Sequence, residues 1–257
     1  MIFLPRFMPK QYQKDWEELA KLDSFWAISS SSDKKFNRWK REDFLSSGVK
    51  EADWVINRIS EKGFDLKLGS ALDFGCGIGR ITCALAARFR EVYGLDISPT
   101  MIAQAEKNVP VGKNNVRFIL NQADDLNILG DKKFDLVFST LCLQHIADKD
   151  EIKKIIIELA RILKPGGVLN FQLPSRAGYS RLKASALKLR GSIYNFCVRR
   201  LRLSRPFCYR RLRLTPYMHM NFLGSTEVKK ILESSCDKIC VLDDNSLVTA
   251  YIARKKS

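Results

Sequence analysis

Residues 72–80 read Leu-Asp-Phe-Gly-Cys-Gly-Ile-Gly-Arg, and this segment constrains the fold more than any other. An apolar, strand-like run ends here and a helix-like run begins, with glycine at alternate positions 75, 77 and 79. Glycine lets the backbone turn sharply and lets a ligand approach the first turn of the following helix. Spacing excludes two commoner glycine loops. The dinucleotide loop Gly-x-Gly-x-x-Gly fails in both frames, because Arg80 and Thr82 stand where its third glycine belongs. The phosphate loop Gly-x-x-x-x-Gly-Lys-Ser/Thr is absent from the chain.

The flanking sequence alternates short apolar runs with helical patterns. Ala71–Phe74, Val92–Asp96, Val116–Leu120, Phe134–Ser139 and Val168–Leu173 are strand candidates. Helices are expected over Ile78–Phe89, after the Ser98-Pro99 cap, over Asp150–Leu163 and over Ser225–Ser235. The third of these stops at Lys164-Pro165-Gly166-Gly167. Lys238–Leu242 and Leu247–Arg254, joined by Asp243-Asp244-Asn245, predict an antiparallel hairpin at the sheet edge. Upstream, Trp16, Leu19, Ala20 and Asp23 fall at helical spacing, as do Ala52, Val55, Ile56 and Ile59, on either side of a polar loop at Ser29–Lys35. Strand-helix alternation of this kind predicts a mostly parallel sheet covered on both faces.

Composition narrows the setting. A 257-residue chain that is 46% hydrophobic can build one large α/β core with peripheral elements. Its net charge of +16 attracts anionic partners. Seven cysteines, an odd number with no Cys-x-x-Cys pair, argue against a disulfide framework or a zinc site and for a reducing compartment. No metal is expected. The first 13 residues, interrupted by Pro5 and Pro9, lack the apolar stretch of a signal peptide. No apolar run reaches the roughly 18 residues of a membrane span. The expectation is a cytoplasmic protein, soluble or peripheral at a membrane.

The Asp73-Phe74-Gly75-Cys76-Gly77-Ile78-Gly79 segment resembles the first motif of the class I S-adenosylmethionine-dependent methyltransferases, Asp-x-Gly-x-Gly-x-Gly. Further matches follow in order. Asp96 closes Gly94-Leu95-Asp96-Ile97, where that family places an acid on the ribose hydroxyls of its methyl donor. Phe134–Ser139 looks like the family's fourth strand, Leu163-Lys164-Pro165-Gly166-Gly167 like the entry to its fifth, and Tyr251–Lys255 like its last. One element departs from the pattern: Asn121-Gln122-Ala123-Asp124-Asp125-Leu126 stands where the family often has Gly-Asp-Ala-x-x-Leu. Gln122 or Asp124 is then the candidate acceptor for the adenine amino group, and the Ala123 N–H the candidate donor to the ring; Asp124-Asp125 reads equally as a solvated turn.

The resemblance implies a Rossmann-like α/β fold with a seven-stranded, mostly parallel sheet, a C-terminal antiparallel hairpin, helices on both faces and a helical N-terminal extension. Residues 1–68 form that extension or lid. Residues 69–257 form the S-adenosylmethionine-binding domain, with a basic insertion at 175–222. The implied cofactor is S-adenosyl-L-methionine, held by Asp73, Gly75, Cys76, Gly77, Gly79, Asp96, Ile97, Gln122, Ala123, Asp124 and Ser139.

A sulfonium methyl group is already activated, so the protein must chiefly orient an acceptor and exclude water. His145, just past the fourth strand, is the candidate base; the alternative is a structural or substrate-orienting role. His219, in a Met-rich setting, reads as packing. Cys142 has no basic partner in sequence and reads as a buried thiol. Among the N-terminal aromatics Phe25, Trp26, Phe36, Trp39 and Phe44, which either cover the cleft or simply pack, Trp39 lies between Arg38 and Lys40.

No acidic residue occurs between Glu158 and Glu227, while twelve Lys and Arg side chains run from Arg176 to Arg213. Leu182, Ala186, Leu189, Ile193, Phe196 and Cys197 within that stretch can share a helix face. Such a segment suits an anionic membrane surface, an RNA backbone or a solvated face over a substrate pocket. Two motifs of nucleic-acid enzymes are absent: Ser139-Thr140-Leu141-Cys142 replaces Asn/Asp-Pro-Pro-Tyr/Phe, and no Pro-Cys dipeptide occurs. Three functions are therefore carried forward. They are methyl transfer to a small-molecule or lipid-linked acceptor, at oxygen; RNA methylation; and cofactor binding without catalysis.

Overall fold

In the computed structural model, residues 10–30, 32–123, 125–130, 133–175, 181–245 and 247–257 are described. Seven strands, β1 (Ser70–Phe74), β2 (Glu91–Asp96), β3 (Val116–Leu120), β4 (Phe134–Ser139), β5 (Leu163–Pro174), β6 (Cys236–Asn245) and β7 (Val248–Lys255), form one sheet in the order β3-β2-β1-β4-β5-β7-β6. The first five strands are mutually parallel. β7 lies between β5 and β6 and runs antiparallel to both, so the expected hairpin is present and β6 forms the edge.

Every residue of β1 is buried, which explains why Ser70–Phe74 does not alternate polar with apolar. Leu72 and Phe74 point to one face, where Val137, Leu169 and Phe171 meet α5 (Lys149–Arg161) and α8 (Ser225–Glu233). Ala71 points to the other face, where Leu136, Phe138 and Val168 meet α2 (Arg41–Glu61) and α3 (Arg80–Leu85). The chain winds one way from β1 to β3 and the other way from β4 to β5. That reversal opens a crevice beyond the carboxyl ends of β1 and β4, the usual ligand position in such sheets.

Caps explain several boundaries. The Ser98 side chain accepts from Met101 N at the start of α4 (Pro99–Asn108), as the Ser-Pro pair predicts. Asp148 accepts from Asp150 N and Glu151 N at the start of α5.

The sequence misjudges four details. The helix expected over Ile78–Phe89 starts only at Arg80, because Gly79 (φ 78°) is left-handed. It ends at Leu85, where Ala87 N and Arg88 N bond three residues back and tuck Phe89 into the core. The helix expected to reach Leu163 ends at Arg161, because Leu163 already pairs with Phe134 before a bulge leads to the Leu136–Val168 register. α8 ends at Glu233, short of Ser235. The Ser29–Lys35 stretch holds a 3-10 turn, Ser32–Lys34.

Of the two N-terminal helices, the first lies over the crevice and α2 packs on the Ala71 face of the sheet. α1 (Lys10–Ile28) bends at Asp23, whose extended backbone starts a fresh helical turn with its carboxylate on Trp26 N. α2 lies so close to α3 that a Cβ on Gly48 would fall 2.4 Å from the Arg80 carbonyl oxygen. The buried Arg80 guanidinium fixes this contact by bonding Glu51 (2.7 Å) and Ser47 (3.2 Å). The basic insertion forms α6 (Arg181–Arg199) and α7 (Arg205–Arg210). Arg176 lies outside the described residues.

Candidate active site

The glycine loop wraps the end of β2. Gly75 N and Cys76 N both donate to the Leu95 carbonyl (2.8 and 3.1 Å), and Gly77 N donates to Asp96 Oδ2 (2.8 Å). Gly75 and Gly77 have φ of 76° and 54°. A Cβ on Gly75 would collide with the Cys142 thiol, and one on Gly77 would come within 2.5 Å of Ile28. These glycines are therefore required both by backbone conformation and by close approach across the crevice.

Asp96 accepts from Ser98 N (2.9 Å) through Oδ1 and from Gly77 N through Oδ2. Burial pushes its pKa up, against the backbone N–H groups that favour the charge. An ionised carboxylate offers about four lone-pair sites, so Asp96 retains acceptor capacity toward the cleft that it lines.

The cleft spans about 660 Å³, its open mouth included. Phe74, Gly75 and Gly77 form its floor; Asp96, Ile97, Met101 and Asn121 line the β2/β3 side; Leu141, Cys142 and Ile146 line the β4 side. Tyr12, Trp16 and Ile28 of α1 complete the wall. Leu141 holds a left-handed φ of 51°, which turns the chain from β4 into the 3-10 turn Leu143–His145. Burial, followed by the Asp96 and Asp73 charges, raises the Cys142 thiol far above its ordinary pKa, so it lines the cleft as an uncharged group.

Of the residues expected at the cofactor, Gly75, Gly77, Asp96 and Ile97 line the cleft together. Asp73 is buried beneath the loop, where it accepts from Thr82 Oγ1 (2.7 Å), and burial pushes it up to about 7. Cys76 is buried as well, with its thiol raised by burial. Gly79 serves as the N-cap of α3. Ser139 Oγ donates to the Phe74 carbonyl (3.0 Å) and joins β4 to the end of β1. Gln122 and Ala123 are exposed; Asp124 lies outside the described residues. Asn121 takes the wall position instead, donating to the Asp125 carbonyl and accepting from Ala123 N.

His145 sits behind the cleft wall, its ring 5.3 Å from that of Trp16 in an edge contact. Its Nδ1 lies 2.6 Å from the His219 carbonyl oxygen, an acceptor only, so Nδ1 carries the proton. Burial pushes its pKa down to about 4, and the imidazole is neutral at pH 7. Asn221 strengthens the same junction through the carbonyls of Gln144, Ile146 and Ala147. His219, half-buried, packs against Tyr12 and Tyr217.

α1 bonds to both neighbouring units. On one side Glu17 accepts from Ser98 Oγ (2.6 Å), Thr100 N (3.1 Å) and Thr100 Oγ1 (2.5 Å), and Ser24 donates to Gln104. On the other, Glu18 meets Tyr194 and Arg205, and Asp23 meets Tyr209. Sequence reasoning missed Tyr12, Trp16, Glu17 and Asn121. Trp39, by contrast, packs edge-on against Phe44 and donates to the Ser29 carbonyl. Among the described residues no group of three His, Cys, Asp or Glu side chains is placed to hold a metal ion.

Comparison with known proteins shows what this chain is similar to. Residues 72–171 match the family model described as a methyltransferase domain. A trans-aconitate 2-methyltransferase of Methylobacterium radiotolerans is 36% identical over 106 residues, which cover 40% of this chain and 37% of that protein. A demethylmenaquinone methyltransferase of Tropheryma whipplei is 32% identical over 151 residues, covering 56% and 60% respectively. The chain thus aligns with less than two thirds of the length of either relative. In fold, it is similar to magnesium protoporphyrin IX methyltransferase of Synechocystis PCC 6803 with bound S-adenosylmethionine, at a TM-score of 0.56 and 17% identity over 96% of this chain and 99% of that one. Residues 72–171 therefore match a methyltransferase domain, and the chain carries a Rossmann-like fold similar to that of the Synechocystis enzyme.

Proposed function

We propose that the chain transfers a methyl group from S-adenosylmethionine to a small-molecule or lipid-linked acceptor, at oxygen. The observation that carries this reading is the Asp96 carboxylate, set at the edge of a cleft whose floor is glycine backbone. Asp96 would hold the ribose hydroxyls, Ile97, Met101 and Asn121 would flank the adenine, and Gly75–Gly77 would admit the amino-acid end. When bound, the sulfonium supplies a methyl group open to attack by an acceptor lone pair. The residues of this chain supply orientation and dryness: Tyr12 and Trp16 wall the cleft as part of an N-terminal lid over residues 1–68.

Oxygen is favoured by what the cleft lacks. An ammonium acceptor must lose a proton before it can attack, and among the described residues no lysine or histidine lines the cleft. A carboxylate or an acidic hydroxyl needs no strong base. His145 acts as a positioning residue: it is neutral at pH 7, weakly basic, and screened by Trp16. Relatives named for trans-aconitate and demethylmenaquinone support an acceptor of this size.

The test is methyl-labelled S-adenosylmethionine incubated with the protein and separate pools of organic acids, quinols, extracted lipids and RNA. Label in the acid, quinol or lipid pool, in an alkali-labile ester or a stable ether, is expected. Label confined to RNA would replace this reading with RNA methylation. Binding of the donor with transfer to no pool would favour a non-catalytic binding module.

A further inference from the structure

We propose that α6 is an interfacial helix that lays a hydrophobic stripe on an anionic lipid bilayer. Leu182, Ala186, Leu189, Ile193 and Phe196 follow one another at spacings of four, three, four and three residues. At 3.6 residues per turn they fall within about 80° of the helix circumference. Leu182 is 84% exposed, Leu189 63%, Phe196 56% and Ile193 43%. Exposed apolar side chains scattered singly need no explanation, but an aligned set along one helix does.

The helix cannot roll to hide this stripe. Its opposite side is fixed to the body of the protein by Tyr194, fully buried and bonded to Glu18 (3.0 Å). One turn earlier, Gly191 lies against Tyr217 so closely that a Cβ would fall 2.5 Å away. The stripe therefore faces outward as a consequence of packing elsewhere on the same helix.

Charge selects the occupant. Lys188 and Arg199 flank the stripe on one side and Arg190 on the other, all three exposed. In sequence, no acidic residue lies between Glu158 and Glu227. Beyond Arg190 the positive rim continues: Arg190 donates to the Arg213 carbonyl, the Arg213 guanidinium lies 4.0 Å over Phe36, and Lys35 lies 5.3 Å over the same ring. Burial, followed by the neighbouring Arg190 and Arg213, lowers Lys35 to about 8 against the opposing Asp23 charge. A second copy of this chain would bring like-charged rims together. A nucleic acid would leave Leu182, Leu189 and Ile193 without a partner. Acyl chains beneath anionic headgroups satisfy both the stripe and its rims. Among the described residues no helix is long and apolar enough to cross a membrane, so the contact is with the surface.

The experiment is co-sedimentation of the whole chain with vesicles of phosphatidylcholine alone, or with 30% phosphatidylserine. Neither methyl donor nor acceptor is needed, so the result is independent of the proposed methyl transfer. Binding is expected to the anionic vesicles, to weaken roughly fivefold per basic residue removed in Lys188→Gln and Arg199→Gln, and to fall at least tenfold in Leu189→Ser/Ile193→Ser. Those side chains are exposed, and circular dichroism will show the fold retained. Failure of the wild type to sediment with anionic vesicles overturns the proposal. So does binding that the Leu189/Ile193 pair leaves unchanged, or a dimer in solution that the same pair abolishes.

Discussion

Removing the Glu17 carboxylate should release α1 from the cofactor half of the molecule. Glu17 receives three hydrogen bonds from Ser98 and Thr100, at the start of α4, where negative charge is also favoured by the helix dipole. Burial alone would raise its carboxyl, but the donors Ser98, Thr100 and Lys21 outweigh that and hold it below the ordinary value. Hydrogen bonds to a charged group contribute about 1.5–3 kcal/mol each. Water can replace the lost partner at Thr100, but not at Ser98, which is fully buried. The net loss for Glu17→Ala is then about 2–4 kcal/mol of α1 docking, or roughly 30- to 1,000-fold in the local opening constant. Amide hydrogen exchange over residues 16–28, compared with the β1 core as an internal standard, reads this directly. The sign with pH is fixed by the lowered carboxyl: protection is complete above 4.5, its unfolded value, and is lost as the pH falls below that. An exchange rate that changes less than threefold in Glu17→Ala, or wild-type protection that strengthens below pH 4.5, would refute the reasoning.

Three further outcomes follow from the same geometry. Gly77→Ala places a side chain in a left-handed backbone facing Ile28, so it should cost about 1–2 kcal/mol in a urea melt while weakening donor binding more than tenfold; equal affinity would show that the loop does not border the ligand. Asp73 is raised by burial from 3.8 to about 7, so the folded chain holds more protons than the unfolded one between those values. Its ionisation therefore erodes stability as pH rises through that window, and Asp73→Asn should unfold at higher urea than wild type at pH 8 but converge with it near pH 4. The opposite order at pH 8 would contradict the burial argument. For His145→Asn, a positioning role predicts a fall in kcat/KM of about tenfold with the acid limb of the pH profile unchanged; loss of that limb would make His145 the base.

Much of the frame was legible because it rests on local chemistry. Ser98-Pro99 marks a helix start by capping geometry alone, and glycines at 75, 77 and 79 mark a turn that tolerates no Cβ. Residues whose role depends on what faces them were not legible. Trp16 reads as part of an ordinary amphipathic helix and Tyr12 carries no signal of its own, and only docking of α1 over the crevice makes them cleft wall. That Asn121 rather than the exposed Gln122 lines the cleft was not legible, because position in a motif does not fix side-chain direction after a strand end. Lys164-Pro165-Gly166-Gly167 reads as the stop of a helix reaching Leu163, yet Leu163 is already paired in the sheet, as the resemblance of this segment to a fifth-strand entry implies. In α6 the periodicity revealed an apolar stripe but not its direction, which Tyr194 and Gly191 on the other side determine.

The central claim is that Asp96 and the glycine loop hold S-adenosylmethionine. Calorimetric titration of wild type and Asp96→Ala with S-adenosylmethionine and S-adenosylhomocysteine, with NAD as control, tests it most directly. The account predicts saturable binding of both sulfur ligands by the wild type, none of NAD, and at least tenfold weaker binding by a folded Asp96→Ala. Equal affinity in the two proteins, or no binding of either sulfur ligand by the wild type, would contradict it.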